Sequence, residues 1–156
     1  MEQVVREVNT AALMEEYRAL LQEVEQLPLL VSGRSMVPFL VHGRDTVYLT
    51  KITKPLKRGD MVLSQREGAA YILHRIYAKR GDVFDMVGDA QTEIEYGIAR
   101  EQIFAVVCSA VRKGRTQKPG SFWWEFFEKI WIRLVPLRPI LAGGYRRIKP
   151  IIRRIV

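Results

Sequence analysis

The central part of the chain, residues 29–111, consists of short apolar runs separated by turns that contain glycine, and this pattern constrains the fold most. The runs are rich in Val, Ile, Tyr and Phe, which favour strands. Six strands are predicted: Leu29–Ser32, Thr46–Lys51, Asp60–Gln65, Ala70–Tyr77, Val83–Gly88 and Ile103–Val111. No long helical run lies between them, as parallel strands would require. We therefore predict a mainly β domain with a coiled, partly closed antiparallel sheet.

The regions on either side of this β domain are predicted to be helical. Within residues 1–28, apolar side chains recur at steps of three and four over 4–25, which predicts an amphipathic helix that docks on the domain or on a partner. Residues 112–156 begin with a polar linker and continue as an aromatic and basic amphipathic tail. Ser121–Val135 is the predicted helix of that tail, and Pro136 is expected to end it.

The excess of basic over acidic residues lies in the tail of the chain. The net charge is +8, and residues 111–156 hold twelve basic and only two acidic side chains. Tryptophans around a narrow polar stripe, followed by mixed Arg and Ile, are typical of a helix in a membrane interface. We expect a membrane surface as partner, through Trp123, Trp124, Trp131, Arg146, Arg147, Arg153 and Arg154. Packing within the protein or against another protein is the alternative, and nucleic acid is disfavoured because the basic end alternates with isoleucine rather than stacking aromatics.

Composition restricts the chemistry and the location. Cys108 is the single cysteine, and His42 and His74 are the two histidines, which excludes a disulfide framework and a Cys/His zinc cluster. We expect no metal and no organic cofactor. The longest uncharged stretch has ten residues, too few to span a bilayer, and the acidic beginning does not resemble a secretion signal. The expected location is the cytoplasmic side, in peripheral association with a membrane.

Three polar residues at or near strand ends are candidates for chemistry. Ser35 lies in a glycine-containing turn after a predicted strand, His74 lies within Tyr71–Tyr77, and Asp89 follows Val83–Gly88. A histidine can accept a proton from a serine hydroxyl near neutral pH, and an aspartate can orient that histidine. Taken singly, each residue is also compatible with a structural role: a turn serine, a core histidine on an apolar strand face and a turn aspartate.

Four motifs that contain or flank these residues resemble one known family. They are Ser-Gly-Arg-Ser-Met-Val-Pro at 32–38, Lys-Arg-Gly-Asp-Met-Val at 57–62, Leu-His-Arg-Ile at 73–76 and Gly-Asp-Ala at 88–90. Their order and spacing resemble the LexA and type I signal peptidase superfamily of serine peptidases. The resemblance covers about residues 29–111, and it implies the same coiled β fold.

The resemblance also implies roles for individual residues. Ser35 would be the nucleophile. His74 stands where the housekeeping enzymes carry a lysine base, which is similar to the branch that uses Ser, His and Asp together. Asp89 would then be the orienting acid, and Met36 and Pro38 would contribute to substrate binding.

The implied activity is that of a serine endopeptidase that cleaves an extended peptide with small residues beside the cut. One alternative is a catalytically inactive, peptidase-like binding or maturation module docked at a membrane, because Arg34 is inserted next to the serine and no membrane anchor is predicted. Self-cleavage of the LexA type is a third reading. It is weakened because the one Ala-Gly bond, Ala142-Gly143, lies far downstream of Ser35.

Overall fold

The computed structural model describes residues 10–66 and 71–143 and contains one open sheet in which every pair of neighbouring strands is antiparallel. The strands are β1 (Leu27–Leu30), β2 (Thr46–Thr50), β3 (Met61–Gln65), β4 (Tyr71–Arg80), β5 (Val83–Val87), β6 (Glu95–Ala99), β7 (Ile103–Arg112) and β8 (Arg115–Gln117). Their order is β1-β2-β7-β3-β4-β5-β6, and β8 pairs with β7. The predicted mainly β, antiparallel fold is confirmed, with β6 and β8 as two strands that the sequence pattern did not predict.

The sheet buries apolar side chains on both faces. The first core lies on one face and includes Met36, Phe39, Met61, Leu63, Val107, Trp124 and Phe127. The second core lies on the other face and includes Leu56, Val62, Ile76, Phe84, Met86 and Ile98. Adjacent residues of a strand point to opposite faces. His74 pairs with Val62 and therefore faces the second core, whereas Arg75 pairs with Met61 and faces the first.

The N-terminal helix α1 (Thr10–Glu23) packs against the first core through Met14 and Leu21. The Tyr17 hydroxyl donates to the carbonyl of Pro28 at 2.9 Å, which ties the helix to β1. Residues 4–9 of the predicted helix lie outside the described residues.

The C-terminal helical segment (122–143) changes its winding along its length. It begins as α2 (Phe122–Glu125), widens to a π-helical turn over Phe126–Ile130 and tightens to 3-10 turns over Trp131–Leu137, with further helical turns at 138–143. The prediction that Pro136 ends the helix was wrong. The N–H of Arg138 donates to the carbonyls before the proline, so the tight turns continue past the missing proline N–H.

The tryptophans of this segment do not share one environment. Trp124 is 4% exposed and packs edge-on against Phe39 in the first core, and Trp131 is half-buried. Trp123 is the one tryptophan of the three that is largely exposed. The prediction that all three face a membrane therefore needs correction, because a helix that is apolar all round turns one side to the core. Arg146, Arg147, Arg153 and Arg154 lie outside the described residues.

No helix in the described ranges, 10–66 and 71–143, is long and apolar enough to cross a bilayer.

Candidate active site

Ser35 lies in the loop between β1 and β2, and this loop is fixed at both ends. Val31 N–H donates to the carbonyl of Asp45, and Gly43 N–H donates to the carbonyl of Val31, each at 2.9 Å. Gly33 N–H donates to Nδ1 of His42 at 3.0 Å. Ser35 itself is half-buried at this well-anchored turn.

The turn that follows β5 is pressed against Ser35. Ala90 N–H donates to the Ser35 carbonyl at 2.8 Å. A Cβ atom built on Gly88 would lie only 3.0 Å from Cβ of Ser35, and closer still to its carbonyl oxygen. This close approach requires glycine at position 88, because a side chain there would force the serine turn to shift.

The register of the sheet places His74 across from that glycine. β4 and β5 pair Ile76 with Met86 and Arg75 with Val87, so the ladder continued by one residue sets His74 opposite Gly88. Opposite residues of antiparallel strands have Cβ atoms about 5 Å apart and on the same face. The Ser35 carbonyl and Cβ occupy the space beside Gly88, so this continued register puts His74 and Ser35 on the same side of the turn. No hydrogen bond from Ser35 reaches His74 Nδ1.

Burial controls the charge of His74. The residue is 4% exposed. This burial lowers the pKa of His74 to about 4, and the nearby Arg66 cation lowers it further, whereas the Glu95 carboxylate has a smaller, opposing effect. The imidazole is therefore neutral at pH 7 and can accept a proton. Its Nδ1 atom has no hydrogen-bond partner among the described residues. A buried polar atom without a partner calls for an explanation, and a role in proton transfer is one.

Asp89 is fully buried on the other face of the sheet, where it pairs with Arg75. Both carboxylate oxygens accept from Arg75 Nε, at 2.8 and 3.1 Å, and Arg75 Nη1 also donates to the carbonyl of Gly59 at 2.9 Å. Burial raises the pKa of the Asp89 carboxyl, and the Arg75 guanidinium opposes that rise. The structure does not bring this carboxylate to His74. Its visible role is to fix the turn that holds Ser35.

Two side chains of the C-terminal helical segment hold the same turn. Trp131 Nε1 donates to the carbonyl of Asp89 at 2.8 Å. Arg138 Nη1 donates to the carbonyls of Gly88 and Gln91, at 2.8 and 2.7 Å. The turn at 88–91 is therefore clamped by Arg75 from the sheet and by Trp131 and Arg138 from the helix.

Sequence reasoning missed these three residues. The sequence could have indicated the role of Arg75. Adjacent residues of a strand face opposite sides, so an arginine next to a buried histidine faces the other core, where its charge needs an acidic partner. Trp131 and Arg138 carried no such signal, since their contacts join residues more than forty positions apart in the chain.

The two predicted substrate-binding residues differ in accessibility. Met36 is 3% exposed and belongs to the first core, whereas Pro38 is exposed, with its carbonyl accepting from Arg112 at 3.3 Å. A separate groove of about 210 Å³ lies close by, between the stretch Leu29–Gly33 and strands β3 and β4. Its lining is mostly apolar and comprises Met14, Leu29, Leu30, Val31, Ser32, Gly33, Leu63, Tyr71 and Leu73. The stretch that forms one wall leads directly to Ser35.

Within 10–66 and 71–143, no three His, Cys, Asp or Glu side chains are grouped in a way that could hold a metal ion. Comparison with protein-family models, curated proteins and solved structures found no match to this chain. The resemblance to the LexA and signal peptidase superfamily therefore rests on its four motifs.

Proposed function

We propose that this chain is a serine endopeptidase in which Ser35 is the nucleophile and His74 the general base. The observation that carries the proposal is the close approach at Gly88. The carbonyl and Cβ of Ser35 occupy the space beside this glycine, and the β4–β5 register, continued by one residue beyond its last pair, sets His74 across from it. The family resemblance of the surrounding motifs supports the same assignment.

The proposed chemistry needs only these two side chains for proton transfer. The neutral His74 imidazole takes the proton of the Ser35 hydroxyl as Oγ attacks the peptide carbonyl carbon. The imidazolium then returns that proton to the leaving amine, which gives an acyl-enzyme and a free amino terminus. Water, deprotonated by the same imidazole, hydrolyses the ester and restores Ser35. Asp89 takes no part in proton transfer in this scheme, because Arg75 occupies its carboxylate.

The groove beside Ser35 indicates the class of substrate. An extended peptide laid along Leu29–Gly33 would contact apolar side chains of β3 and β4 on the first-core face, and the wall it follows leads to the serine turn. The resemblance implies small residues next to the cut. We place the activity on the cytoplasmic side, where the anionic membrane leaflet suits the basic tail.

A fluorophosphonate probe tests the proposal, because it reacts with an activated hydroxyl and the Ser35→Ala variant shows whether that hydroxyl belongs to Ser35. At pH 7 we expect labelling of the native protein, none of Ser35→Ala, and a rate about a hundredfold lower for His74→Gln, since a general base contributes at least that much. Ser109→Ala, a serine on β7 away from the groove, is the matched control and should label normally.

Lack of labelling in the native protein, with circular dichroism showing that it is folded, would contradict the proposal. The groove would then favour the alternative, an inactive module that binds extended peptides.

A further inference from the structure

The C-terminal helical segment carries large apolar side chains both where it is buried and where it is exposed. The buried ones are Trp124, Phe127, Ile132 and Val135. The exposed ones are Phe122, Trp123, Ile130, Leu137, Ile140 and Leu141, each 46% to 72% exposed. These residues are spread along the whole segment, from its first turn to its last, on the part of its surface that the rest of the protein leaves exposed. We call this set the outer face.

Exposed apolar side chains are concentrated in the outer face and are few elsewhere in the described residues. Of the ten large apolar side chains that are exposed within the described residues, six belong to the outer face. The other four are Leu20 and Val24 at the end of α1, Leu30 on β1 and Tyr96 on β6. A contiguous exposed apolar patch is typical of a surface that binds a membrane or another macromolecule.

Cationic side chains border the outer face. A depression of about 520 Å³ is lined by Arg112, Lys113, Arg115, Gln117 and Trp123, three cations and an outer-face tryptophan with no acid among them. Arg133 is exposed on the segment itself, and Lys129 is exposed there too but pairs with Glu125. The sequence beyond residue 143 adds five more basic residues and no acidic one.

We propose that the outer face docks on the surface of an anionic lipid bilayer. A bilayer is the partner that satisfies both observations at once. The acyl boundary covers the apolar side chains, and headgroup phosphates meet the bordering cations. A nucleic acid would neutralise the cations but would leave Ile130, Ile140 and Leu141 in water. Tryptophan at the rim, as at position 123, is typical of the interfacial layer.

Docking in this way would hold the proposed active site near the membrane. The segment that carries the outer face also clamps the turn at 88–91 through Trp131 and Arg138. Membrane binding itself does not depend on the proposed peptidase activity, and the two can fail separately.

Flotation of the full chain with lipid vesicles tests this inference. We expect binding to vesicles of phosphatidylcholine with phosphatidylglycerol, and weaker binding to phosphatidylcholine alone. The double variant Trp123→Ser with Ile140→Ser should lower the partition coefficient about tenfold or more, because each lost apolar side chain weakens insertion. Tyr96→Ser, an equally exposed residue outside the outer face, is the control and should bind as the native chain does. Ser35→Ala should also bind normally.

Three results would overturn the inference. The double variant, shown to be folded by circular dichroism, could bind as tightly as the native chain, which would assign membrane binding to the residues after 143. The native chain could bind both kinds of vesicle equally. It could also bind a duplex oligonucleotide while leaving vesicles unbound, which would make nucleic acid the partner of the cationic border.

Discussion

Replacing Gly88 by alanine is expected to lower the labelling rate of Ser35 about a hundredfold while the sheet remains folded. The added Cβ would lie 3.0 Å from Cβ of Ser35 and closer to the carbonyl that accepts from Ala90. The serine turn must therefore shift. A displacement of about 1 Å at a reacting group is enough to cost a hundredfold in rate.

This substitution isolates the steric effect. The backbone of Gly88 is outside the left-handed region, so alanine is compatible with its conformation and introduces only the methyl group. Gly143→Ala is the matched control, because a Cβ at that position meets nothing within 4 Å and its backbone is also accessible to alanine. Labelling of Gly88→Ala at the native rate would mean that Ser35 does not lie against this turn in solution.

Replacing Arg75 by methionine is expected to reduce the free energy of unfolding by about 3 to 5 kcal/mol. Arg75 and Asp89 are 1% and 0% exposed as side chains, and the arginine provides the ion-pair partner of that carboxylate on the first-core face. Its removal leaves Asp89 buried without this compensation. Urea unfolding at neutral pH measures the loss directly.

Two further variants distinguish the stability lost by breaking the buried ion pair from the effect of removing any positive charge. Arg75→Met combined with Asp89→Asn should recover part of the lost stability, since it removes the uncompensated charge as well. Lys129→Met breaks an exposed ion pair with Glu125 and should cost at most about 1 kcal/mol. A cost for Arg75→Met as small as that of Lys129→Met would contradict the structural role assigned to the pair.

Most of the sheet could be predicted because the pattern of each long strand is local. β2, β3, β5 and β7 begin within about one residue of their predicted starts. β6 was not predicted because Gly97 interrupts its short apolar pattern, and β8 has only three residues, which is too few to show any period.

The residues of the site could be predicted from the sequence, but the face of the sheet on which each one lies could not. Motifs located Ser35, His74 and Asp89, but the side to which Asp89 turns depends on the register between β4 and β5, which no local pattern encodes. That register sets the carboxylate beside Arg75 and leaves His74 on the opposite face. The same limit applies to the tryptophans, since a segment that is apolar all round does not reveal which side is buried.

The most direct test of the central claim, that a buried neutral His74 activates Ser35, is the pH dependence of Ser35 labelling. The neutral imidazole is the active form, and its pKa is lowered from 6.5 to about 4 by burial. The labelling rate should therefore be constant through neutral pH and lost only as the pH falls through about 4, over the range in which circular dichroism shows a folded protein. The slower labelling of His74→Gln should lack this transition. A midpoint near 6.5, the ordinary value for an exposed histidine, or an identical profile in His74→Gln, would contradict the account.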